Sequence, residues 1–130
     1  MNEIAVNPKK ILVADDDNNI LFLISEILMR QNYEVSQAVN GDQALKDVVA
    51  LHPDLVVLDI MMPVIDGIEV CRRIKASPET SDIKVIMLTA KTSGKDMEAG
   101  MAAGADHYMT KPFKIAELSG KIKELIGTNK

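Results

Sequence analysis

The pattern that most restricts the fold is an alternation, repeated five times, of a short strand-like run, three of the five mostly apolar, with a longer stretch carrying apolar residues at helical spacing. The runs are Lys10–Ala14, Glu34–Ala38, Leu55–Leu58, Lys84–Thr89 and His107–Thr110. Between them, Ile20, Leu23, Ile24, Ile27 and Leu28 mark one helix, and Ala44, Leu45, Val48 and Val49 a second. A third carries Ile68, Val70, Cys71 and Ile74, and the last carries Ile115, Leu118, Ile122, Leu125 and Ile126. The fourth, which Ser93 can cap, holds Gly94 and Gly100. Each glycine in a helix interior costs about 1 kcal/mol against alanine, so this is expected to be the least stable helix. Asn18 or Asn19 can cap the first helix, Pro53 bars the second from running on, and Gly127 stops the last. Strict alternation with short links argues an α/β fold with a doubly wound five-stranded parallel sheet, because right-handed crossovers place helices on both faces.

Within that frame the segment 53–67 stands out. Four apolar residues, Leu55–Leu58, deliver one carboxylate, Asp59, between Pro53 on one side and Pro63 and Gly67 on the other. A continuous apolar run reads as a strand buried on both faces, which puts Asp59 at the carboxyl end of a central strand, where open α/β sheets bind ligands. The Glu34–Ala38 run, with Val35 among polar neighbours, fits a position near the sheet edge.

Composition excludes several function classes. Apolar residues at 47% and charged residues at 26% suit a globular domain rather than a disordered one. A net charge of −4 gives no reason to expect direct nucleic-acid binding by this domain. No apolar run approaches the roughly 20 residues a membrane span needs, so no membrane is expected and the cytoplasm is the natural location. The one cysteine, Cys71, rules out an intrachain disulfide and reads as a buried thiol. Met97 and Met101, spaced for one helix face, read as core. His52 precedes a loop proline and His107 opens what reads as an internal strand, so neither is placed for a phosphohistidine relay. Residues 1–8 are expected to form a short leader, 9–127 the domain and 128–130 a tail.

If the first and third strands are neighbours, Asp15, Asp16 and Asp17 crowd the same edge as Asp59. Such acids repel one another and are tolerated chiefly with a cation present; oxygen ligands point to a hard ion such as Mg2+. Thr89 ends the fourth strand and Lys111 follows the fifth, adding a hydroxyl and an ammonium to the rim. An aspartate nucleophile, a Lewis acid and donors for phosphoryl oxygens make a phosphoryl site. Asp17 reads instead as a helix cap or solvent charge.

The chain resembles the receiver domain of two-component response regulators. The residues that carry the likeness are ILVADD (11–16), LVVLDIMMPVIDG (55–67), VIMLTA (85–90) and GADHYMTKPF (104–113). The resemblance implies a CheY-like, flavodoxin-like sheet of order 2-1-3-4-5. It implies that Asp59 accepts a phosphoryl group from a sensor histidine kinase, a phosphotransfer protein or a small phosphodonor. It further implies Mg2+ held by Asp16 and Asp59, by Asp15 through water, and by the Met61 backbone carbonyl. Lys111 would hold phosphoryl oxygens, Thr89 and Tyr108 would form the switch pair, and the Lys111–Pro112 peptide would be cis. Self-phosphorylation and slow self-dephosphorylation would then be the only catalysis, with Met61 and Lys91 flanking the path of attacking water. The switch would reshape the surface of the fourth helix, fifth strand and fifth helix. That surface would control an effector, an output domain beyond this chain, or a homodimer. The expected kinase face is the first helix with the loops around Asp59. Two alternatives remain at this level: a Mg2+-dependent phosphatase with an aspartate nucleophile, and an interaction module that is never phosphorylated.

Overall fold

The structure is a computed structural model and describes residues 8–127; the expected leader, Pro8 aside, and the tail at 128–130 lie outside the described residues. Its strands are β1 (Lys10–Ala14), β2 (Glu34–Ala38), β3 (Leu55–Leu58), β4 (Lys84–Thr89) and β5 (His107–Thr110). Its helices are α1 (Asn18–Arg30), α2 (Gly41–Leu51), α3 (Gly67–Ala76), α4 (Gly94–Ala102) and α5 (Ile115–Ile126). The strands form one parallel sheet in the order β2-β1-β3-β4-β5. Strand β2 is an edge, as its mixed polarity indicated. Strand β5 is the other edge, so His107 opens an edge strand rather than an internal one.

Alternation along each strand divides the core into two layers. Leu12, Val56, Leu58, Val85 and Met87 face α2 and α3, against Ala44, Val48, Val70, Cys71 and Ile74. Ile11, Val13, Leu55, Val57, Ile86 and Leu88 face α1 and α5, against Leu21, Ile24, Leu28, Leu118 and Ile122. Each large aliphatic side chain removed from water in this way stabilises the fold by about 1.5–3 kcal/mol, before the cost of ordering the chain.

Four expectations need correction. Helix α1 is capped by Asp17, whose carboxylate accepts from the Asn19 and Ile20 N–H groups, not by Asn18 or Asn19. Its inward face runs through Leu21, Ile24, Ser25 and Leu28, and Leu23 is 43% exposed. The face is rotated because Ser25 is inward too, accepting from the Gln37 side-chain amide of β2 at 2.8 Å. On α2, Val49 is exposed rather than packed. On α4, Met97 and Met101 are 40% and 46% exposed, and Gly100 is the helix's one buried residue. The helix turns Gly100 toward the Tyr108 ring, where an added Cβ would lie 3.1 Å from ring carbons, and this leaves both methionines on its flanks.

Candidate functional site

Strands β1 and β3 lie in register with Ala14 opposite Leu58. The next residue of each is an aspartate, so Asp15 and Asp59 leave the sheet side by side at its carboxyl edge, with the Asp59 N–H donating to the Ala14 carbonyl at 3.0 Å. Both are buried, at 3% and 5% exposure, whereas Asp16 faces solvent. Carboxylate oxygens of Asp15, Asp16 and Asp59 lie within 4.8 Å of one another.

The far half of the sheet supplies the counter-charge. Thr89 ends β4 fully buried, and the Lys111 N–H donates to its carbonyl at 2.8 Å. The Lys111–Pro112 peptide is cis. From there the Lys111 ammonium reaches across the edge and donates to Asp15 Oδ2 at 2.7 Å and to Asp59 Oδ2 at 2.9 Å.

One small device recurs at three strand ends. Asp15 Oδ1 accepts from the N–H of Asp17 (2.9 Å), Asp59 Oδ1 from that of Met61 (3.1 Å), and Thr89 Oγ1 from that of Lys91 (3.3 Å). In each case a short polar side chain takes the backbone N–H two residues on, which aims it along the rim.

The charges do not balance. Three carboxylates face one ammonium, and burial pushes the Asp15 carboxyl above its ordinary range, with the Asp59 charge acting in the same direction. Hydrogen bonds from Lys111 and from the Asp17 N–H offset only part of this. Burial works against the charged form of Lys111 as well, but its two carboxylate partners outweigh that and its pKa rises. An oxygen-only donor set with negative charge in excess fits a hard divalent cation such as Mg2+. Beside the acids opens a cleft of about 590 Å³ lined in part by Asp16, Met61, Met62, Asp66, Lys91 and Asp96.

The structure therefore brings Asp15, Asp16, Asp59 and Lys111 to one point. Thr89 lies on the next strand with its hydroxyl engaged by Lys91. Met61 is half-exposed beside the acids, its N–H on Asp59. Tyr108 stands apart from this cluster: half-buried, its ring on Gly100, its hydroxyl donating to the Lys91 carbonyl at 2.7 Å. Burial raises the Tyr108 pKa, and the charges of Asp96 and Asp59 add to it. His52 is remote, exposed at the C-terminus of α2 beside Glu79 and Asp82.

Sequence reasoning missed the Lys91 backbone as the shared partner of Thr89, at its N–H, and Tyr108, at its C=O. No side-chain pattern reports a backbone group, so the one available clue was its place two residues after a strand-ending hydroxyl.

Comparison with known proteins points to one family. The model of the response regulator receiver domain family matches residues 11–123. The chain is 42% identical over 118 residues to the alkaline phosphatase synthesis transcriptional regulatory protein PhoP of Bacillus subtilis, covering 91% of this chain and 48% of that protein. It is 40% identical over 121 residues to the transcriptional regulatory protein PrrA of Mycobacterium tuberculosis, covering 93% and 51%. The chain thus spans about half the length of these relatives. Among solved structures, a CheY-like receiver domain protein from Methanospirillum hungatei superposes with a TM-score of 0.86 at 32% identity, covering 91% of this chain and 93% of that one. The BeF3-activated DrrB receiver domain gives a TM-score of 0.84 at 38% identity, covering 92% and 97%.

Proposed function

This chain belongs to the response regulator receiver domain family, and from that premise we propose that it is a phosphorylation-controlled switch with Asp59 as phosphoacceptor. The observation that carries the reading is the Lys111 ammonium bonded to both Asp15 and Asp59 at the ends of adjacent strands. An Asp59 oxygen forms a bond to phosphorus while the bond from phosphorus to a kinase histidine nitrogen, or to a small acyl donor, breaks and leaves its electron pair there. Asp16 and Asp59, the Met61 carbonyl and, through water, Asp15 are the groups that would hold Mg2+. When bound, this ion supplies the positive charge that offsets the phosphoryl oxygens. Lys111 contributes its ammonium to the same oxygens, and the buried Thr89 hydroxyl donates to them.

Phosphorylation adds about −1.5 to −2 charge and three acceptor oxygens. Thr89 and Tyr108 both hold the Lys91 backbone, Thr89 at its N–H and Tyr108, on the other side of the Cα, at its C=O. A pull on the Thr89 hydroxyl therefore reaches Tyr108 through two hydrogen bonds, and from there α4, which buries little of itself. The changed face of α4, β5 and α5 would act on an effector, an output domain or a second copy. Helix α1, which exposes Phe22 and Met29, and the loops around Asp59 would meet the sensor histidine kinase or phosphotransfer protein. With apolar Met61 and no acid at Lys91 beside the path of attacking water, the phosphorylated form is long-lived.

Intact-mass analysis after incubation with Mg2+ and a small acyl phosphate tests the reading. Wild type is expected to gain one phosphoryl group, and neither Asp59→Asn nor the Mg2+-free sample to gain any. A folded wild type that gains nothing from acyl phosphate or a kinase overturns it.

A further inference from the structure

The loop between β3 and α3 contains a residue in a conformation its own side chain disfavours. Val64 has φ +74°, in the left-handed region that β-branched residues avoid, and with 77% exposure it gains almost no burial in return. The Ile65 N–H donates to the Pro63 carbonyl at 2.9 Å, closing a three-residue turn centred on Val64. What backs this turn lies outside the loop. Gly41, the first residue of α2, donates its N–H to the same Pro63 carbonyl at 3.3 Å. Its bare Cα sits so close that an added Cβ would fall 1.9 Å from the Ile65 carbonyl oxygen. At the other end of the loop, Gly67 makes a similar approach to the Asp59 carbonyl, at 2.1 Å for an added Cβ, and donates to the Ile60 carbonyl at 2.9 Å. Between these two anchors lies Met61, whose N–H holds Asp59 Oδ1.

We infer that Gly41 is a positioning residue for the phosphoryl site: by admitting the Ile65 carbonyl against α2 it keeps the strained Val64 turn closed. That closure sets the Met61 backbone, and with it the orientation of the Asp59 carboxylate. The inference rests on Asp59 being the phosphoacceptor and adds a residue remote from the chemistry to the apparatus that aims it. A methyl group at position 41 forces the Ile65 carbonyl back. Val64 tolerates only a narrow range at positive φ, so the displacement passes along the loop to Met61. A glycine at position 64 would absorb it locally, because glycine occupies positive φ without steric cost.

The test compares wild type, Gly41→Ala, Val64→Gly and the double variant. Each is measured for Mg2+ dissociation constant, rate of phosphorylation by a small acyl phosphate, and amide exchange in α2. Gly41→Ala is expected to weaken Mg2+ binding and slow phosphoryl transfer by about 10-fold or more, as loss of a supporting shell typically does. Val64→Gly alone is expected to stay close to wild type, and the double variant to recover most of both losses. A folded Gly41→Ala with wild-type affinity and rate overturns the inference. So does a loss that Val64→Gly fails to rescue, since Gly41 then supports α2 and not the loop. If Gly41→Ala alone does not fold, the double variant decides: recovery of fold and Mg2+ affinity together supports the inference, and any other result overturns it. A wild type that binds no Mg2+ and takes no phosphoryl group sinks the phosphoacceptor reading itself, and the inference with it.

Discussion

The sheet carries a lysine–aspartate cluster at each end, and the two are built to opposite ends. At the amino edge, Lys75 of α3 pairs with Asp106 at 3.0 Å and donates to the Ile83 carbonyl at 2.6 Å. Asp106 Oδ2 in turn accepts the Val85 N–H at 2.8 Å, so one acid meets one base and backbone groups take up the remaining valences. Gly104, at φ +105°, leaves room for the Lys75 stem, on which an added Cβ would intrude at 2.8 Å. At the carboxyl edge one lysine faces three acids, two of them almost fully buried. A closed cluster locks α3 to the β4–β5 edge; an unbalanced one leaves negative charge in excess, as the proposed cation and phosphoryl sites require, and costs stability while it is uncompensated.

Adding Mg2+ should show the contrast most strongly. At a hundredfold excess over its dissociation constant, the ion is expected to raise the unfolding free energy by about 2.7 kcal/mol. In urea melts this gain should survive Asp106→Ala and vanish in Asp59→Asn; equal gains in both variants would mean that the ion does not bind at the carboxyl edge. Next in size, Asp106→Ala alone should lower stability by about 2 kcal/mol, because it strands the Val85 N–H and takes from Lys75 its counter-charge. The matching change at the other edge, Asp15→Asn, should act with the opposite sign and raise stability at neutral pH, by removing a charge that burial disfavours. Destabilisation by Asp15→Asn would show that the carboxyl-edge cluster is structural after all.

The pH dependence sharpens the same point. The folded-state pKa of Asp15 lies above its ordinary value of 3.8, so the folded state holds that proton more tightly than the unfolded chain. Its contribution to stability is therefore full below that value and is lost as pH rises through the raised pKa. Urea midpoints of Asp15→Asn relative to wild type should accordingly widen as pH climbs from 3.8, and a constant difference would exclude Asp15 as the source. The smallest effect concerns Cys71, near the closed cluster. Burial pushes its thiol up to about 11, so alkylation at pH 8 should be negligible in the native protein and rapid in urea. Ready native labelling would mean that this edge opens.

Much of this was legible in the chain alone. The three inner strands were marked by their apolar runs, because a strand buried on both faces must be apolar nearly throughout and a charged or turn residue must close it, and the two edge strands by short runs of mixed polarity between helical segments. Alternation of strand and helix then dictated parallel pairing, and hence that Asp15, Asp59, Thr89 and Lys111 share one edge. Asp17 was readable as a helix cap from its type and place. Tertiary packing alone decided the phase of α1, with Leu21 inward and Leu23 out, since either leucine satisfies helical spacing and the Ser25–Gln37 bond selects one rotation. It also left Met97 and Met101 in solvent, because α4 meets the sheet through Gly100 and the Tyr108 ring, a contact between segments whose juxtaposition spacing does not reveal. The two contacts on the Lys91 backbone and the seat of Gly41 against Ile65 belong to the same class. Local sequence determines which backbone segments become strands and helices through burial and propensity, whereas contacts between distant backbone atoms arise only when those segments pack.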